Sequence, residues 1–142
     1  VMTVYANLGA GKMVRWSTVP LPSRPVQVEA ADLDADGRRD LLACSDYRWG
    51  SLMVLRGTGR GLFDLPVEYP GGRAMAVADI DRDGDADVAF LDPMGRTLSL
   101  LRNDGGGKLT GPELLLTSHD DELERLRAGD IDGDGVVVGT GK

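Results

Sequence analysis

The chain has 142 residues, of which 42% are hydrophobic and 27% charged, and its formal net charge is −7 at pH 7. This balance is typical of a folded globular domain and excludes a disordered or strongly basic chain. No apolar run approaches the roughly 18 residues of a membrane span, and no basic stripe carries aromatic residues. The sequence therefore predicts no membrane span and no nucleic-acid partner.

A hairpin pattern begins the chain and recurs twice. The segments 4–13, 54–63 and 100–109 align without gaps. Each has two apolar residues, a polar turn with glycines at two fixed places, and a further apolar residue. Glycine readily adopts the positive φ angles that hairpin turns require, so each segment predicts two short antiparallel strands.

An acidic loop lies between the first two hairpins. Residues 32–40 place carboxylates at loop positions 1, 3, 5 and 9 and a glycine at position 6, and position 7 offers a backbone carbonyl. Calcium takes about six to eight oxygen ligands, which alternating aspartates can supply around the sharp bend that glycine permits. The predicted metal ligands are Asp32, Asp34, Asp36, Asp40 and, through its carbonyl, Arg38.

The acidic pattern recurs 47 residues later, and a third time 51 residues after that. The second loop has the same five diagnostic positions and one further aspartate, and its predicted ligands are Asp79, Asp81, Asp83, Asp85 and Asp87. The third loop offers only Asp130, Asp132 and Asp134, because Val138 stands at its position 9. The sequence therefore predicts two strong calcium sites and a third that is weaker or empty.

Two alternatives compete with the calcium-loop interpretation. An EF-hand loop shares positions 1, 3, 5 and 6, but it needs a glutamate at position 12 and a helix on each side. Position 12 is Ala43, Phe90 or Gly141, and the flanking apolar runs are too short for helices. The other alternative is a solvated acidic turn, which the repetition disfavours. We expect the acidic residue at position 9 to replace the missing ligand.

Acidic loops joined to glycine-turn hairpins, in a period of about 50 residues, resemble the FG-GAP/VCBS repeats. These are the calcium-loop propeller repeats also found in integrin α-subunit heads, and the resemblance covers nearly the whole chain. It implies an all-β fold of β-propeller blades, with four-stranded repeats at about 1–50, 51–96 and 97–142 in one propeller segment, 1–142. One of the three blades is expected to combine strands from the N- and C-terminal ends.

Three blades are too few to close a ring. Closed propellers have about four to eight blades, and an exposed blade edge favours association with another chain. We therefore expect the segment to be part of a larger or oligomeric propeller. It would be either a homodimer that completes a six-bladed ring or a fragment of a longer chain.

The resemblance implies a calcium-binding module for extracellular protein or carbohydrate interaction, for adhesion, or for structural assembly, without catalysis. An extracellular or cell-surface location fits loops that are often too weak to fill at resting cytosolic calcium. The alternative is the scaffold propeller of a secreted polysaccharide-active enzyme, a lyase or hydrolase, as in some members of the family. No catalytic residue is predicted, since His119 lies alone in a polar loop and Cys44 lies in an apolar strand.

Three aromatic residues are candidates for ligand contact: Trp16, Tyr47 and Trp49. Tyr47 and Trp49 occupy a loop between strands, where a sugar or a peptide could stack. Packing between blades is the competing interpretation of all three, and it is the one that we prefer. The arginines are scattered beside loops, and we interpret them as a solvated face.

Overall fold

The computed structural model describes residues 1–119, 123–130 and 137–141, and all regular structure within these ranges is β-strand. The strands are β1 (Met2–Asn7), β2 (Met13–Val19), β3 (Gln27–Ala31), β4 (Asp40–Ser45), β5 (Ser51–Leu55), β6 (Gly57–Gly59), β7 (Leu62–Phe63), β8 (Val67–Pro70), β9 (Ala74–Ala78), β10 (Asp87–Leu91), β11 (Thr97–Asn103), β12 (Leu109–Thr117), β13 (Arg125–Asp130) and β14 (Val137–Gly141). Short apolar runs bounded by glycine, proline and aspartate account for these strands. The all-β prediction is confirmed.

Two four-stranded antiparallel sheets form the centre of the molecule. The sheet β3-β4-β5-β8 is blade 1, and the sheet β9-β10-β11-β12 is blade 2. Neighbouring strands in each sheet follow one another along the chain, and the small hairpin of β6 and β7 lies within the connection from β5 to β8. These are the meandering four-stranded sheets expected of propeller blades.

The remaining strands form two separate sheets. β1 pairs with β2 and β13 pairs with β14, and within the described ranges the two pairs do not bond to each other. The expected composite blade is therefore not assembled within a single chain. The reason is geometric, because Val19 of β2 packs on blade 1, whereas Leu126 of β13 packs on the far face of blade 2. Both blades lie between the two pairs.

Each blade buries both of its faces because successive side chains of a strand point to opposite sides of the sheet. In β4, Leu42 and Cys44 face blade 2, whereas Ala43 faces the β1-β2 pair. In β10, Val88 faces blade 1 and Ala89 faces β13. A strand buried on both faces is apolar throughout, which explains the continuous apolar runs. The layer between the blades consists of Ala31, Leu33, Leu42, Cys44, Leu52, Val54, Met75, Val88, Phe90, Leu101 and Leu109.

The crossing from blade 1 to blade 2 runs through Gly71 and Gly72. A Cβ atom at Gly72 would lie 1.7 Å from the carbonyl oxygen of Leu91. Only glycine fits so close an approach of two backbones. The next residue, Arg73, donates its N–H to the same Leu91 oxygen at 3.0 Å, so the crossing leads directly into β9 beside β10.

Antiparallel connectivity gives the two blades two distinct ends. Both acidic loops join the first strand of a blade to its second strand. The glycine-turn segments 56–64 and 103–109 lie at the same end, which we call the acidic end. The turns 46–50 and 92–96 and the crossing 71–73 lie at the opposite end, which we call the crossing end.

The two tryptophans have different environments. Trp16 donates its Nε1–H to the carbonyl oxygen of Arg60 at 2.6 Å, and a Cβ atom at Gly61 would lie 3.2 Å from its ring. Trp16 therefore connects the β1-β2 pair to the β6-β7 hairpin by a hydrogen bond and a ring contact, although its side chain is 53% exposed. Trp49 is 92% exposed and Tyr47 is 62% exposed, so the packing interpretation is wrong for these two residues. Both lie at the crossing end.

The two residues dismissed as catalytic candidates have ordinary structural environments. Cys44 is a free cysteine in the layer between the blades. Burial raises the pKa of its thiol to about 11, so the thiol remains protonated at neutral pH and packs as a small apolar group. His119 is exposed.

Candidate metal sites

The two acidic loops between the inner strands of the blades have the same backbone shape. Asp32 folds the first loop back on itself by accepting the N–H of Asp36 at 3.1 Å and that of Gly37 at 2.9 Å. Asp79 accepts the N–H of Gly84 at 3.0 Å in the second loop. Both glycines stand at loop position 6 and have positive φ angles, +82° for Gly37 and +98° for Gly84. The glycine at this position is the residue that the bend requires.

Loop position 4 is also left-handed, which the sequence did not indicate. It is Ala35 in the first loop and Arg82 in the second, with φ angles of +56° and +65°. A left-handed residue other than glycine costs about 1–2 kcal/mol. Both loops therefore contain a strained residue directly after the carboxylate at position 3, and strain of this kind is common at functional sites.

The aspartate at position 9 ties each loop to the rest of its blade. Asp40 accepts the N–H groups of Leu33 at 3.0 Å and Gly57 at 2.8 Å. Asp87 accepts the N–H of Ile80 at 3.1 Å and that of Asn103 in β11 at 2.9 Å. Asp40 and Asp87 are 1% and 0% exposed. The carboxylate at position 9 thus bonds to main-chain N–H groups outside its own loop. Asp40 reaches Gly57 in β6, just after the third strand of blade 1, and Asp87 reaches Asn103 at the end of β11, the third strand of blade 2.

Three carboxylates converge in each loop, from positions 1, 3 and 9. Site 1 consists of Asp32, Asp34 and Asp40, and site 2 consists of Asp79, Asp81 and Asp87. In each site, one oxygen from every residue lies within 4.8 Å of the other two. Carboxylate oxygens at this separation are close enough to hold a metal ion between them.

One oxygen in each site has no partner. Asp34 Oδ1 and Asp79 Oδ1 are shielded from solvent and make no hydrogen bond with the described residues. A buried carboxylate oxygen without a donor is unfavourable by several kcal/mol, on the order of the cost of desolvating the group. These oxygens therefore fit a bound cation, which would supply the missing interaction at the centre of each set.

The aspartates at position 5 lie outside the two sites. Asp36 pairs with Arg38, whose N–H and Nε donate to it at 2.7 and 2.9 Å. The Arg38 N–H is the main reason that the pKa of Asp36 lies below its usual value. In the second loop, Asp83 accepts the N–H of Asp85 at 2.9 Å. Ligation by Asp36, Asp83 and the position-7 residues Arg38 and Asp85 stays a prediction.

Asp85 has the opposite electrostatic environment from Asp36. Desolvation raises the pKa of the Asp85 carboxyl above its ordinary value of 3.8, and the charges of Asp83 and Asp79 raise it further. The second loop has five aspartates and therefore concentrates negative charge, which attracts a cation.

The third predicted loop can be placed only in part. Asp130 is the last residue of β13, and its backbone pairs with that of Val137 in β14. Asp132 and Asp134 lie outside the described residues. The ligand roles of all three aspartates stay predictions.

Two arginines hold the carboxylates at position 3. Arg56 donates from Nη1 to Oδ2 of Asp34, and Arg102 donates from Nη1 to Oδ2 of Asp81. These two arginines are partly exposed, as a solvated face predicts, but each also forms an ion pair with a carboxylate of a metal site. Arg56 and Arg102 occupy the same place in the aligned hairpins, which is the signal that could have identified them. Glu113, at 3.1 Å, and Asp81 raise the pKa of Arg102.

A sequence profile of FG-GAP-like repeats matches residues 32–90 and, a second time, residues 79–137. Together the two matches cover well over half of the chain, and each begins at position 1 of an acidic loop. The chain belongs to the FG-GAP-like repeat family. FG-GAP-like repeats form propeller-type modules, in agreement with blades 1 and 2. No curated protein matches this FG-GAP-like chain.

Several grooves among the described residues of this FG-GAP-like segment lie outside the metal sites, and two of them bear on function. A groove of about 470 Å³ between β3 and β13 gathers Glu29 and Glu124 beside arginines. A groove of about 560 Å³ at the crossing end is lined by Trp49, Tyr69 and Phe90 among other residues. Within the described ranges, no helix is long and apolar enough to cross a membrane.

Proposed function

We propose that this FG-GAP-like propeller segment binds calcium at sites 1 and 2 and serves as a non-catalytic module. The observation that carries the proposal is the pair of shielded oxygens without a hydrogen-bond partner, Asp34 Oδ1 and Asp79 Oδ1, each within a set of three converging carboxylates. Bound calcium would balance the clustered negative charge and join positions 1, 3 and 9 of each loop.

Calcium is the cation that best fits these ligands. Both sites consist of carboxylates, with no histidine or cysteine, so the donors favour a hard cation over zinc or copper. Magnesium usually retains several waters and binds through one or two carboxylates, whereas calcium accepts a larger and less regular set of oxygens. Three carboxylates in each loop therefore favour calcium.

In this proposal, calcium stabilises the blades. Each loop connects the first two strands of a blade. Asp40 also bonds to Gly57, just after the third strand of blade 1, and Asp87 bonds to Asn103 at the end of the third strand of blade 2. A metal held by such a loop contributes its binding free energy to folding. Loops that bind with a Kd of about 0.1–1 mM would fill outside the cell and remain largely empty in the cytosol, which favours an extracellular or cell-surface location.

The third loop is proposed to bind calcium weakly or not at all, because Val138 at position 9 cannot replace the aspartate that sites 1 and 2 have there. We further propose that the β1-β2 and β13-β14 pairs each become half of a blade. A second copy of the chain, or further sequence of a longer protein, would supply the other half. Light scattering in calcium and in chelator would reveal a calcium-dependent dimer.

We propose the crossing end as the interaction surface for an extracellular protein or glycan. Trp49 is 92% exposed there, and Tyr47 is 62% exposed beside it. Exposed aromatic rings bury large apolar area on binding at little entropic cost. A Trp49→Ala variant should bind an identified ligand more weakly while keeping the melting temperature of the wild type.

The second candidate function is the scaffold of a secreted polysaccharide-active enzyme. It depends on the groove between β3 and β13, where two carboxylates, Glu29 and Glu124, lie outside the metal sites. Paired carboxylates are the usual groups of glycoside hydrolysis. Assays of hydrolysis and elimination on acidic and neutral polysaccharides, repeated with Glu124→Gln, test this alternative. A turnover that the substitution abolishes would favour it over a non-catalytic module.

The direct test of calcium binding is isothermal titration calorimetry of metal-free protein. We expect two sites in the wild type, in addition to any weak third site, and the loss of one site in Asp34→Ala and of the other in Asp81→Ala. Asp64→Ala, which removes an exposed carboxylate outside the loops, is the control and should bind like the wild type. Unchanged titrations in both loop variants would contradict the assignment.

A further inference from the structure

The turn that follows β11 lies between the two acidic loops and contacts both. Arg56, which holds Asp34 of site 1, donates from Nη2 to the carbonyl oxygen of Gly106 at 2.7 Å. A Cβ atom at Gly105 would lie 2.6 Å from Oδ2 of Asp85 in the second loop. The turn of blade 2 is therefore packed against the loops of both sites.

Asn103 is the residue of this turn that bonds to both loops. Its Nδ2 donates to the carbonyl oxygen of Leu33 at 2.8 Å and to that of Ala86 at 3.1 Å. Its backbone N–H donates to Oδ1 of Asp87 at 2.9 Å. Leu33 stands between two ligands of site 1, and Ala86 directly precedes a ligand of site 2. Asn103 is 5% exposed, so these bonds are protected from water.

The remaining polar atom of Asn103 fixes the side chain in place. Its Oδ1 accepts the N–H of Gly105 at 3.2 Å and that of Gly107 at 3.0 Å. Both amide hydrogens, the amide oxygen and the backbone N–H of Asn103 are therefore all used. A buried side chain with every polar atom bonded cannot adjust to a movement of one loop without losing a bond to another.

Leu33 connects Asn103 to a metal ligand, because its carbonyl bonds to Asn103 and its N–H bonds to Asp40. Its N–H donates to Oδ2 of Asp40 in site 1 at 3.0 Å, and its side chain is 2% exposed in the layer between the blades. A change in the first loop that moves Asp40 or Leu33 therefore also moves the acceptor of Asn103. Asn103 in turn bonds to Asp87 of site 2.

We infer that Asn103 is a positioning residue that couples the two calcium sites, so that calcium at one site raises the affinity of the other. This inference rests on the proposed calcium binding. Calcium at site 1 restricts the movement of the loop around Leu33. Because Asn103 bonds to Leu33, Ala86 and Asp87, the restriction also limits the movement of Ala86 and Asp87 in site 2. The second calcium ion then binds to a loop that is already ordered, and the effect is reciprocal. The bonds join both sites directly, so no change of overall fold is required.

Calorimetric titration of single-site variants measures this coupling. All proteins carry Asp132→Ala, which disables the third loop. Asp81→Ala leaves only site 1, and Asp34→Ala leaves only site 2. If the sites are independent, the product of the two stepwise binding constants of the parent equals the product of the two single-site constants. We expect the parent product to be larger by about fivefold or more, the usual range of coupling between sites.

The same titrations with Asn103→Ala test the role of the side chain. We expect the parent product of binding constants to fall to the product of the single-site constants, so that the excess disappears. Asn103→Ala keeps the backbone N–H that Asp87 accepts, but it removes the amide that bonds to both loops. Asn103→Asp is the second variant, since it also keeps the oxygen that closes the turn. The matched control is Asn7→Ala: Asn7 aligns with Asn103 but is exposed, and its Oδ1 bonds to Gly9 of its own turn. This control should keep the full excess.

The outcomes separate this inference from the proposal on which it rests. Two sites that fill independently in the parent would overturn the coupling alone. An excess that survives both Asn103 variants would overturn the assignment to Asn103. A chain that takes up no calcium would overturn the proposed function and the coupling together. Melting curves in chelator show whether each variant is folded, and the parent comparison decides on coupling even if an Asn103 variant does not fold.

Discussion

Arg56 donates a hydrogen bond to one oxygen of Asp34, and the other oxygen of Asp34 has no partner among the described residues. The arginine thus holds the carboxylate by one oxygen and leaves the second oxygen for a cation. It also brings a positive charge close to site 1. The side chain of Arg56 is 39% exposed, so water and salt reduce this charge interaction without abolishing it.

We predict that Arg56→Gln increases the calcium affinity of site 1 about fivefold. Two unit charges about 4 Å apart repel by about 1 kcal/mol in water, and calcium carries two charges, although salt screens part of the effect. Calorimetry in the Asp81→Ala background measures site 1 alone. Arg15→Gln makes the same charge change at an exposed position of β2 and should leave the affinity unchanged. A lower affinity in Arg56→Gln would mean that holding Asp34 matters more than the repulsion.

Asp87 should stabilise the fold even without metal. It is fully buried and accepts two backbone N–H groups, from Ile80 and Asn103. Asp87→Ala leaves both donors unsatisfied, at a cost of about 1–3 kcal/mol each. We expect urea unfolding in excess chelator to show a loss of about 3 kcal/mol in the free energy of unfolding. Asp83→Ala, at an exposed position of the same loop, should lose little. Equal losses would contradict a structural role specific to position 9.

The raised pKa of Asp85 predicts a pH-dependent stability in the absence of calcium. Desolvation and neighbouring aspartates raise this pKa above 3.8, so the folded state binds the proton more tightly than the unfolded state does. The stability gained from this proton is complete below about pH 3.8 and is lost as the pH rises through the raised pKa. In chelator, Asp85→Asn should therefore raise the melting temperature at pH 7, and the gain should shrink as the pH falls towards 4.

Asp104→Asn is the matched comparison for Asp85→Asn. The N–H groups of Gly106 and Lys108 lower the pKa of the Asp104 carboxyl, so its ionised form stabilises the fold. That stability is present above the ordinary value of 3.8 and is lost as the pH falls through the lowered pKa. Asp104→Asn should therefore lower the melting temperature at pH 7. Shifts of the same sign in the two variants would contradict the assigned environments.

The two tryptophans should respond differently to the same substitution. Trp16→Phe loses the hydrogen bond to the Arg60 carbonyl, which is worth about 1 kcal/mol, and loosens the β1-β2 pair on blade 1. Trp49→Phe changes a ring that is 92% exposed and should leave the melting temperature unchanged. Thermal unfolding followed by circular dichroism measures both. A loss in Trp49→Phe as large as that in Trp16→Phe would place Trp49 in a packed interface.

The blades could be predicted from the sequence because their signals are local. A glycine at loop position 6 and glycines in the hairpin turns mark bends within a few residues, and their recurrence fixes the period. Apolar runs of four residues between these bends predict buried strands, which the structure extends to six residues in β4 and five in β10. The prediction of a composite blade within one chain was wrong. The β1-β2 and β13-β14 pairs both form, but they lie on opposite sides of the two blades and therefore cannot pair with each other.

The membership of each site could not be predicted from spacing alone. Positions 1, 3, 5 and 9 all carry aspartate, but the converging sets contain positions 1, 3 and 9, and the position-5 aspartates have hydrogen-bond partners within their own loops. The arginine partners come from 22 and 21 residues away in sequence, for Asp34 and Asp81 respectively. Such contacts depend on the register between the second and third strands of a blade, which no local pattern encodes. Asn103 was missed because its bond to Leu33, at a separation of 70 residues, depends on how the two blades pack against each other.

The melting temperature of the wild type and of Asp81→Ala, each in excess calcium and in excess chelator, tests the central claim most directly. At a hundredfold excess over Kd, one calcium ion stabilises the folded state by about 2.7 kcal/mol, which corresponds to a rise of about 5–10 °C in a domain of this size. We predict that Asp81→Ala loses about half of the calcium-dependent rise and melts with the wild type in chelator. An equal loss in calcium and in chelator would contradict a metal-binding role for Asp81. A wild type that melts at the same temperature in both solutions would contradict calcium-dependent stabilisation altogether.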